Sequence, residues 1–259
     1  MTRDFEPVSV RVNAKINIGL QIVRKRPDGY HDLQTVFYPT DFFTDILRIA
    51  PSSEEVVFRL ESQENLGESD NNLCVKAFRL LQHDFGIRGV EISLCKGIPT
   101  GAGLGGGSAD AAFTLKMLVD AFQLPVSEDE MAKYALQLGS DVPFFLLNRS
   151  LYATGRGEVM TPVEVDLSPY RLKIVKPDIH VSTKEAYAGV TPKESNVFIP
   201  NVLRQDIKTW DGLVVNDFEV SVFAKHPELR EIKEELYREG ALYASMSGSG
   251  SAVFGIFPK

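Results

Sequence analysis

Two runs of alternating apolar and polar residues open the chain. The pattern extends over 8–12 and resumes over 16–22, which is the period of a half-buried strand. In the second run the alternation places one set of mostly polar side chains on a single face, opposite the isoleucines: Lys15, Asn17, Gly19 and Gln21. A proline-glycine turn over 26–29 and an apolar run over 33–38 then predict a hairpin, with Tyr30 and His31 where it closes.

The remaining periodicity mixes strands with helices. Alternating or compact apolar runs predict strands over 45–49, 56–60, 90–95, 151–153, 158–163, 172–175 and 252–257. Helical spacing predicts helices over 73–85, from the glycine-rich run to residue 122, and over 128–138, 182–188, 215–223 and 227–239. Ser127 and Glu130 form a predicted capping box. Because strands and helices do not alternate strictly, the pattern indicates an α+β fold, with a candidate domain boundary within 162–169.

Composition excludes several classes of protein. With 259 residues, 44% hydrophobic, the chain can bury a sizeable core, and its net charge of −7 disfavours a nucleic-acid surface. Cys74 and Cys95 lack metal or redox spacing, which favours free thiols in a reducing compartment. Neither a leader-like apolar segment at residue 1 nor a run of membrane-spanning length occurs. We therefore expect a cytoplasmic protein that acts on a small molecule, with no nucleic-acid or membrane partner.

The stretch most suggestive of chemistry is the glycine-rich run over 99–112. It has five glycines in seven residues, then Ser108 and an apolar stripe with helical spacing. Glycines let backbone N–H groups turn toward an anion, and a helix N-terminus adds its free donors and positive dipole end. Ser108 stands where an N-cap or a metal-facing hydroxyl would stand. The alternative is a flexible linker, which rarely leads directly into so regular a stripe.

Two familiar phosphate motifs fit this run incompletely. Gly101, Gly103 and Gly106 satisfy G-x-G-x-x-G, but the preceding strand alternates, and the acidic residue about twenty positions on, Asp120, falls within a predicted helix. Gly101 and Gly106 also match the outer glycines of a P-loop, yet Gly107 occupies the position of its lysine. A dinucleotide fold and a P-loop are therefore both disfavoured.

Taken with its proline and its Ser-Ala ending, the run resembles the phosphate loop of the GHMP kinase superfamily. Other matching motifs span nearly the whole chain: 14–17 (AKIN), 26–33 (RPDGYHDL), 70–73 (DNNL), 138–145 (LGSDVPFF), 216–219 (NDFE) and 246–251 (MSGSGS). The resemblance implies a two-lobed α+β GHMP kinase fold, with an N-terminal ribosomal-S5-domain-2-like lobe and a C-terminal ferredoxin-like α/β sandwich lobe. It assigns residues 1–163 to an ATP-binding domain and 164–259 to a C-terminal domain.

The same resemblance implies where ATP would bind. It assigns the phosphates to the loop and the neighbourhood of the adenine to Asn72. The loop positions are Pro99, Thr100, Gly101, Ala102, Gly103, Leu104, Gly105, Gly106, Gly107, Ser108 and Ala109. Mg²⁺ is implied by the chemistry, with the Ser108 hydroxyl as a candidate ligand. The family often has an acidic residue directly before the Asn-Leu pair, where this chain has Asn71.

The branch of the superfamily that the chain resembles phosphorylates the 2-hydroxyl of a cytidine-diphosphate-linked methylerythritol in non-mevalonate isoprenoid biosynthesis. By resemblance, Asp141 would be the catalytic base, and Lys15 would hold the substrate hydroxyl and Asp141 in place and offset developing charge. Five further residues would bind substrate: Tyr30 and Tyr187 stacking on the cytosine, His31 reading its polar edge, and Asn17 and Thr183 touching the substrate. The family commonly has phenylalanine at the position of Tyr187. A monomer or weak homodimer is expected.

Each of these residues also has a structural interpretation. Asp141 could cap a short helix, and Lys15 could be a solvated strand residue. Tyr30 and His31 could pack the hairpin turn, Tyr187 could belong to the core, and the glycine-serine run over 247–251 could be a plain turn. Three other functions stay open as well: a homoserine or sugar kinase, a nucleotide-sensing protein without turnover, and a dinucleotide oxidoreductase.

Overall fold

The structure is a computed structural model, and it describes residues 5–62 and 69–259. The chain forms two compact units, each assembled from separate stretches. Among the described residues, the first unit comprises 5–14, 43–62, 69–98 and 105–148, and the second comprises 15–42, 99–104 and 149–259. The predicted division after residue 163 stays a prediction, and most of the predicted loop over 62–71 lies outside the described residues.

The strands are β1 (Val8–Lys25), β2 (His31–Pro51), β3 (Val56–Leu60), β4 (Val90–Cys95), β5 (Leu151–Thr154), β6 (Val159–Pro162), β7 (Tyr170–Val175), β8 (Tyr243–Met246) and β9 (Val253–Pro258). The helices are α1 (Leu73–Phe85), α2 (Gly106–Phe122), α3 (Glu128–Leu138), α4 (Val142–Leu147), α5 (Thr183–Gly189), α6 (Ile199–Leu203), α7 (Phe218–Lys225) and α8 (Pro227–Arg238). Short 3₁₀ turns occupy Ser69–Asn71 and Ile207–Thr209. No helix of the described stretches combines the length and the apolar character that crossing a membrane requires.

The first unit contains helices α1 to α4, strands β3 and β4, and the last part of β2. Parallel β3 and β4 pair with Val57 opposite Glu91, and the last part of β2 runs antiparallel to β4 with Leu47 opposite Leu94. Helix α2 packs against α1 and α4. The core is the apolar face that each element turns inward, and its fully buried members include Phe78, Leu81, Leu115, Leu118, Phe144 and Phe145. Burial of such side chains is the main favourable contribution to folding.

The second unit contains a three-stranded antiparallel sheet in the order β7-β9-β8. Helix α8 packs on β8 and β9, and α7 packs on α5 and α8. Their shared core includes Phe218, Val222, Leu229, Leu236, Val253 and Phe257. In the same unit β5 runs antiparallel to the first part of β2 and to β6.

Several predicted elements differ in extent from the observed ones. The separate strands expected over 33–38 and 45–49 belong to the single strand β2, and the two runs over 8–12 and 16–22 are the single strand β1. The helix expected from Val215 begins at Phe218: the Asn216 side chain donates to the Met246 carbonyl and accepts the Phe218 N–H, and Asp217 accepts the Ile22 N–H. Strand β8 and helix α6 were not predicted.

Candidate active site

The first half of the glycine-rich run, residues 99–104, belongs to the second unit and is held there by backbone contacts. The Ala252 N–H donates to the Ala102 carbonyl at 3.1 Å. Gly103 has φ of +76°, and a Cβ there would lie 2.0 Å from the carbonyl oxygen of Ser247. Only glycine fits such a close backbone approach in a left-handed conformation. Backbone contacts therefore hold this half of the run in place, and it is not a flexible linker.

The second half of the run opens helix α2 in the first unit. Gly105 is the N-cap at φ 74°, no side chain caps the helix, and its first turn has no acidic residue. An uncapped first turn presents backbone N–H donors and the positive end of the helix dipole, which suits a phosphate group. The candidate role of Ser108 as an N-cap is wrong, because Gly105 holds that position. Ser108 is instead the third residue of the helix, and its role as a metal ligand stays a prediction.

A buried charge cluster lies beside this helix start. Lys96 donates to Asp110 of α2 at 2.8 Å and also to Asp45 of β2, and the Lys96 and Asp45 side chains are at most 3% exposed. The other oxygen of Asp45 accepts the N–H groups of Gly97 and Ile98 at 2.6 and 2.7 Å. The cluster ties β2 and the chain entering the glycine run to the first turns of α2.

The protonation of this cluster is set by burial and by its own charges. Burial raises the pKa of Asp110 to about 7, although the positive charge of Lys96 opposes that shift. The pKa of Lys96 is raised, because the two carboxylates outweigh the effect of its burial. Sequence reasoning missed this cluster. Its signal was Asp110, an acidic residue between alanines on the apolar side of a helix, which calls for a buried partner.

The second unit contains the predicted lysine. Lys15 is 3% exposed, so it is not a solvated strand residue. Its ammonium donates to the Asn17 side-chain oxygen at 2.5 Å and to the Gly103 carbonyl at 3.1 Å, and it lies 5.1 Å from the centre of the Phe37 ring. These contacts fix the ammonium beside residues 99–104 of the glycine-rich run. Asn17 also donates to the Thr35 hydroxyl at 3.0 Å.

The aromatic residues of the predicted nucleobase clamp also lie in the second unit. The His31 ring stacks on Tyr187 with centroids 4.9 Å apart, and Tyr187 meets Phe218 edge to face at 4.9 Å. The Tyr30 ring is 56% exposed, and the Arg156 guanidinium lies over it at 4.8 Å. Burial, assisted by the charge of Lys25, lowers the pKa of His31, so the neutral imidazole is favoured. A neutral imidazole offers one donor and one acceptor to a base edge.

The other predicted residues occupy helix ends. Asp141 is the N-cap of α4 but makes no capping hydrogen bond, so the interpretation of its carboxylate as a helix cap is wrong. Asn72 caps α1 by accepting the Cys74 N–H at 2.8 Å. Thr183 begins α5, and its hydroxyl lies 3.4 Å from that of Ser249.

The structure thus groups the predicted residues within each unit. Lys15, Asn17 and Gly103 form one cluster in the second unit, and His31 and Tyr187 form another. The helix start at Gly105, together with Asn72 and Asp141, belongs to the first unit. The roles assigned to all of these residues stay predictions.

Comparisons with known proteins bear on the whole chain. The family model of the GHMP kinases N terminal domain matches residues 72–149, and that of the GHMP kinases C terminal matches residues 198–259. Two curated relatives, from Bacteroides thetaiotaomicron and Cytophaga hutchinsonii, are named 4-diphosphocytidyl-2-C-methyl-D-erythritol kinase. They are 49% and 48% identical, and each alignment covers 95% of this chain and 90% of the relative.

Solved structures agree in fold. A crystal structure of 4-(cytidine 5'-diphospho)-2C-methyl-D-erythritol kinase matches with a TM-score of 0.82 and 35% identity, over 96% of this chain and 90% of that one. A homoserine kinase from Cytophaga hutchinsonii matches with a TM-score of 0.71 but 17% identity, over 97% of this chain and 85% of that one, which shows the shared fold alone. The chain therefore belongs to the GHMP kinase family, and within it to the group whose curated members are named 4-diphosphocytidyl-2-C-methyl-D-erythritol kinase.

Proposed function

We propose that the chain transfers the γ-phosphoryl group of ATP to the 2-hydroxyl of 4-diphosphocytidyl-2-C-methyl-D-erythritol. The observation that carries the proposal is the 49% identity to a relative of that name over 95% of the chain, since it spans the glycine-rich run, the lysine and the aromatic residues together. The fold alone would also fit a homoserine kinase.

The uncapped start of α2 supports the ATP part of the proposal. Phosphoryl transfer demands little covalent chemistry of the protein, so positioning and charge stabilisation dominate. The first-turn amides of α2 would hold phosphate oxygens, and the buried cluster of Asp45, Lys96 and Asp110 would keep that turn in place. Asn72, at the start of α1, would lie near the adenine.

Lys15 and Asp141 would act on the reacting hydroxyl. In this proposal the Asp141 carboxylate accepts the hydroxyl proton as the oxygen attacks the γ-phosphorus. The ammonium of Lys15 orients the hydroxyl and balances the negative charge that develops. Support comes from the burial of Lys15 and from its anchoring contacts to Asn17 and Gly103.

The aromatic residues would select the cytidine end of the substrate. A nucleobase stacks on any aromatic face, and hydrogen bonds to its edge then decide which base is accepted. Tyr30 and Tyr187 would provide the faces, and the neutral imidazole of His31 would meet the polar edge. Asn17 and Thr183 would contact the rest of the substrate.

The residues present fit a magnesium ion that arrives with ATP better than one held in a protein cage. No cluster of three or more His, Cys, Asp or Glu side chains suited to a metal occurs in residues 5–62 and 69–259. Mg²⁺ commonly binds through substrate phosphates and waters with one or two protein ligands. The Ser108 hydroxyl, half-buried on the first turn of α2, would be the protein ligand, and the ion when bound neutralises phosphate charge.

A coupled ADP-release assay tests the proposal, with the cytidylylated substrate, homoserine and galactose offered in parallel. We expect ADP formation with the cytidylylated substrate only. Turnover of homoserine or galactose instead would overturn it. ATP binding without ADP formation across the panel would indicate a nucleotide sensor, and tight binding of a reduced nicotinamide cofactor would indicate an oxidoreductase.

A further inference from the structure

The segment over 216–219 was given no role in the proposed reaction, yet it joins several parts of the second unit. Asp217 accepts the Ile22 N–H at 2.8 Å, and Phe218 packs edge to face on Tyr187. Glu219 accepts the Met246 N–H at 2.8 Å. The fourth member, Asn216, is 2% exposed, and its side-chain amide makes three hydrogen bonds to backbone groups.

Asn216 fixes a turn of backbone on both sides of Ser247. Its amide nitrogen donates to the Met246 carbonyl at 2.8 Å and to the Gly248 carbonyl at 2.9 Å. Its amide oxygen accepts the Phe218 N–H at 3.0 Å. Because both amide hydrogens and the oxygen are used, the side chain has one orientation, and Ser247 is held between the two bonded carbonyls.

Ser247 in turn makes hydrogen bonds to two residues that contact Lys15. Its hydroxyl donates to the Gly103 carbonyl at 2.9 Å and accepts the Asn17 N–H at 3.1 Å. Gly103 and Asn17 are the same two residues that accept hydrogen bonds from the Lys15 ammonium, at 3.1 and 2.5 Å. A continuous series of hydrogen bonds thus runs from Asn216 through Ser247 to both of these acceptors of Lys15.

We propose that Asn216 is a positioning residue, which acts through Ser247 to hold the Lys15 ammonium in place for phosphoryl transfer. The inference rests on the proposed function, because it assumes that Lys15 serves the reaction. It predicts that disturbing Asn216 slows turnover while leaving the binding of both substrates nearly unchanged. A residue that only stabilises the fold would lower the amount of active protein without changing the rate per folded molecule.

Asn216→Asp is the sharpest substitution. Aspartate has the shape of asparagine but no N–H, so a carboxylate oxygen would face the Met246 and Gly248 carbonyls and both donated bonds would be lost. Ser247→Ala removes only the hydroxyl and tests the next step of the series. Val222→Ala is the control for stability, since Val222 is buried in the core of the same unit and has no hydrogen-bonding side chain.

The measurement is kcat and KM for both substrates, normalised to the folded fraction and preceded by the wild-type assay. We expect Asn216→Asp to lower kcat about tenfold and to change either KM less than about twofold, with Val222→Ala at the wild-type kcat. A second comparison places Asn216→Asp in a Lys15→Met background. In that background Asn216→Asp should lower kcat by less than about twofold, because Asn216 acts on the reaction through Lys15.

Unchanged kcat in folded Asn216→Asp, or the same tenfold loss without Lys15, would overturn the positioning role. If Asn216→Asp does not fold, Ser247→Ala decides by the same two criteria. Failure of the proposed function would look different, since the wild-type chain would then turn over another acceptor or none.

Discussion

Two helices of the first unit begin in opposite ways. Helix α3 starts with a complete capping box, in which Ser127 and Glu130 exchange hydrogen bonds, and its first turn has three acidic residues. Helix α2 starts at Gly105 without a side-chain cap and without an acidic residue in its first turn. Acidic side chains at a helix start offset the dipole, and a cap satisfies the free N–H groups.

On the proposed function, the difference separates a helix start that the protein caps itself from one that would bind phosphate. The protein satisfies the α3 donors itself, whereas it surrounds the α2 donors with glycine and anchors them through the buried Lys96 cluster. In the proposed function Asp141, the N-cap residue of α4, also serves the reaction. The account therefore predicts that changes at α2 and α4 alter activity, and that changes at α3 alter stability.

The largest effect is expected at Asp141. Asp141→Asn should lower kcat on the order of 10²-fold or more, the usual contribution of a positioned base. The free energy of unfolding is measured in parallel, so that a loss of turnover can be separated from a loss of folded protein. Steady-state ADP release and urea unfolding measure the two quantities, and near-wild-type turnover would remove Asp141 from the mechanism.

Gly107→Asp would give α2 the acidic first turn that α3 already has. The site has room, because a Cβ at Gly107 would approach nothing nearer than Leu73 at 3.9 Å. The introduced carboxylate should repel the phosphates and raise the KM for ATP about tenfold, equivalent to about 1.4 kcal/mol. Gly107→Ala is the matched control and should leave that KM within about threefold. An unchanged KM in the aspartate variant would contradict phosphate binding at this turn.

Ser127→Ala tests the opposite helix start. Loss of the cap should cost about 1 kcal/mol of unfolding free energy. Chemical denaturation measures that loss. The kcat and both KM values should match wild type, and a change in KM for ATP would mean that the functional distinction between α3 and α2 is wrong.

The smallest effect is a pH dependence at α3. Hydrogen bonds from the Ser127 hydroxyl and N–H lower the pKa of Glu130. Because the folded pKa lies below the unfolded value, the stabilisation is present above the ordinary glutamate pKa of about 4.3 and is lost as the pH falls through the folded value. Unfolding of wild type and Glu130→Gln between pH 7 and pH 3 should show a stability difference that shrinks below pH 4.3. A difference independent of pH would exclude this linkage.

Much of the local structure could be predicted because its signals are short-range. The bounds of α1, β3 and β4 match the predicted ones, and the Ser127–Glu130 capping box is confirmed. The family assignment is confirmed as well. In β2, pairing with β5 over 35–37 and with β4 over 46–51 accompanies one continuous strand where two separate strands were predicted.

Long-range partners could not be read from local patterns. Alternation placed Lys15 and Asn17 on one face, but the Lys15 partner Gly103 lies 88 positions away and the Asn17 partner Ser247 lies 230 positions away. The Asp45–Lys96–Asp110 cluster escaped prediction for the same reason. Where a side chain is buried depends on which distant segment covers it, and a strand pattern does not contain that information.

The most direct test of phosphate binding by the glycine-rich helix start is a backbone amide NMR titration with ATP. The account predicts that the amide signals of residues 105–109 shift on addition of ATP, while those of residues 127–131 at the capped start of α3 stay in place. Equal shifts at both helix starts, or no shift at 105–109 under conditions where ADP is released, would contradict it.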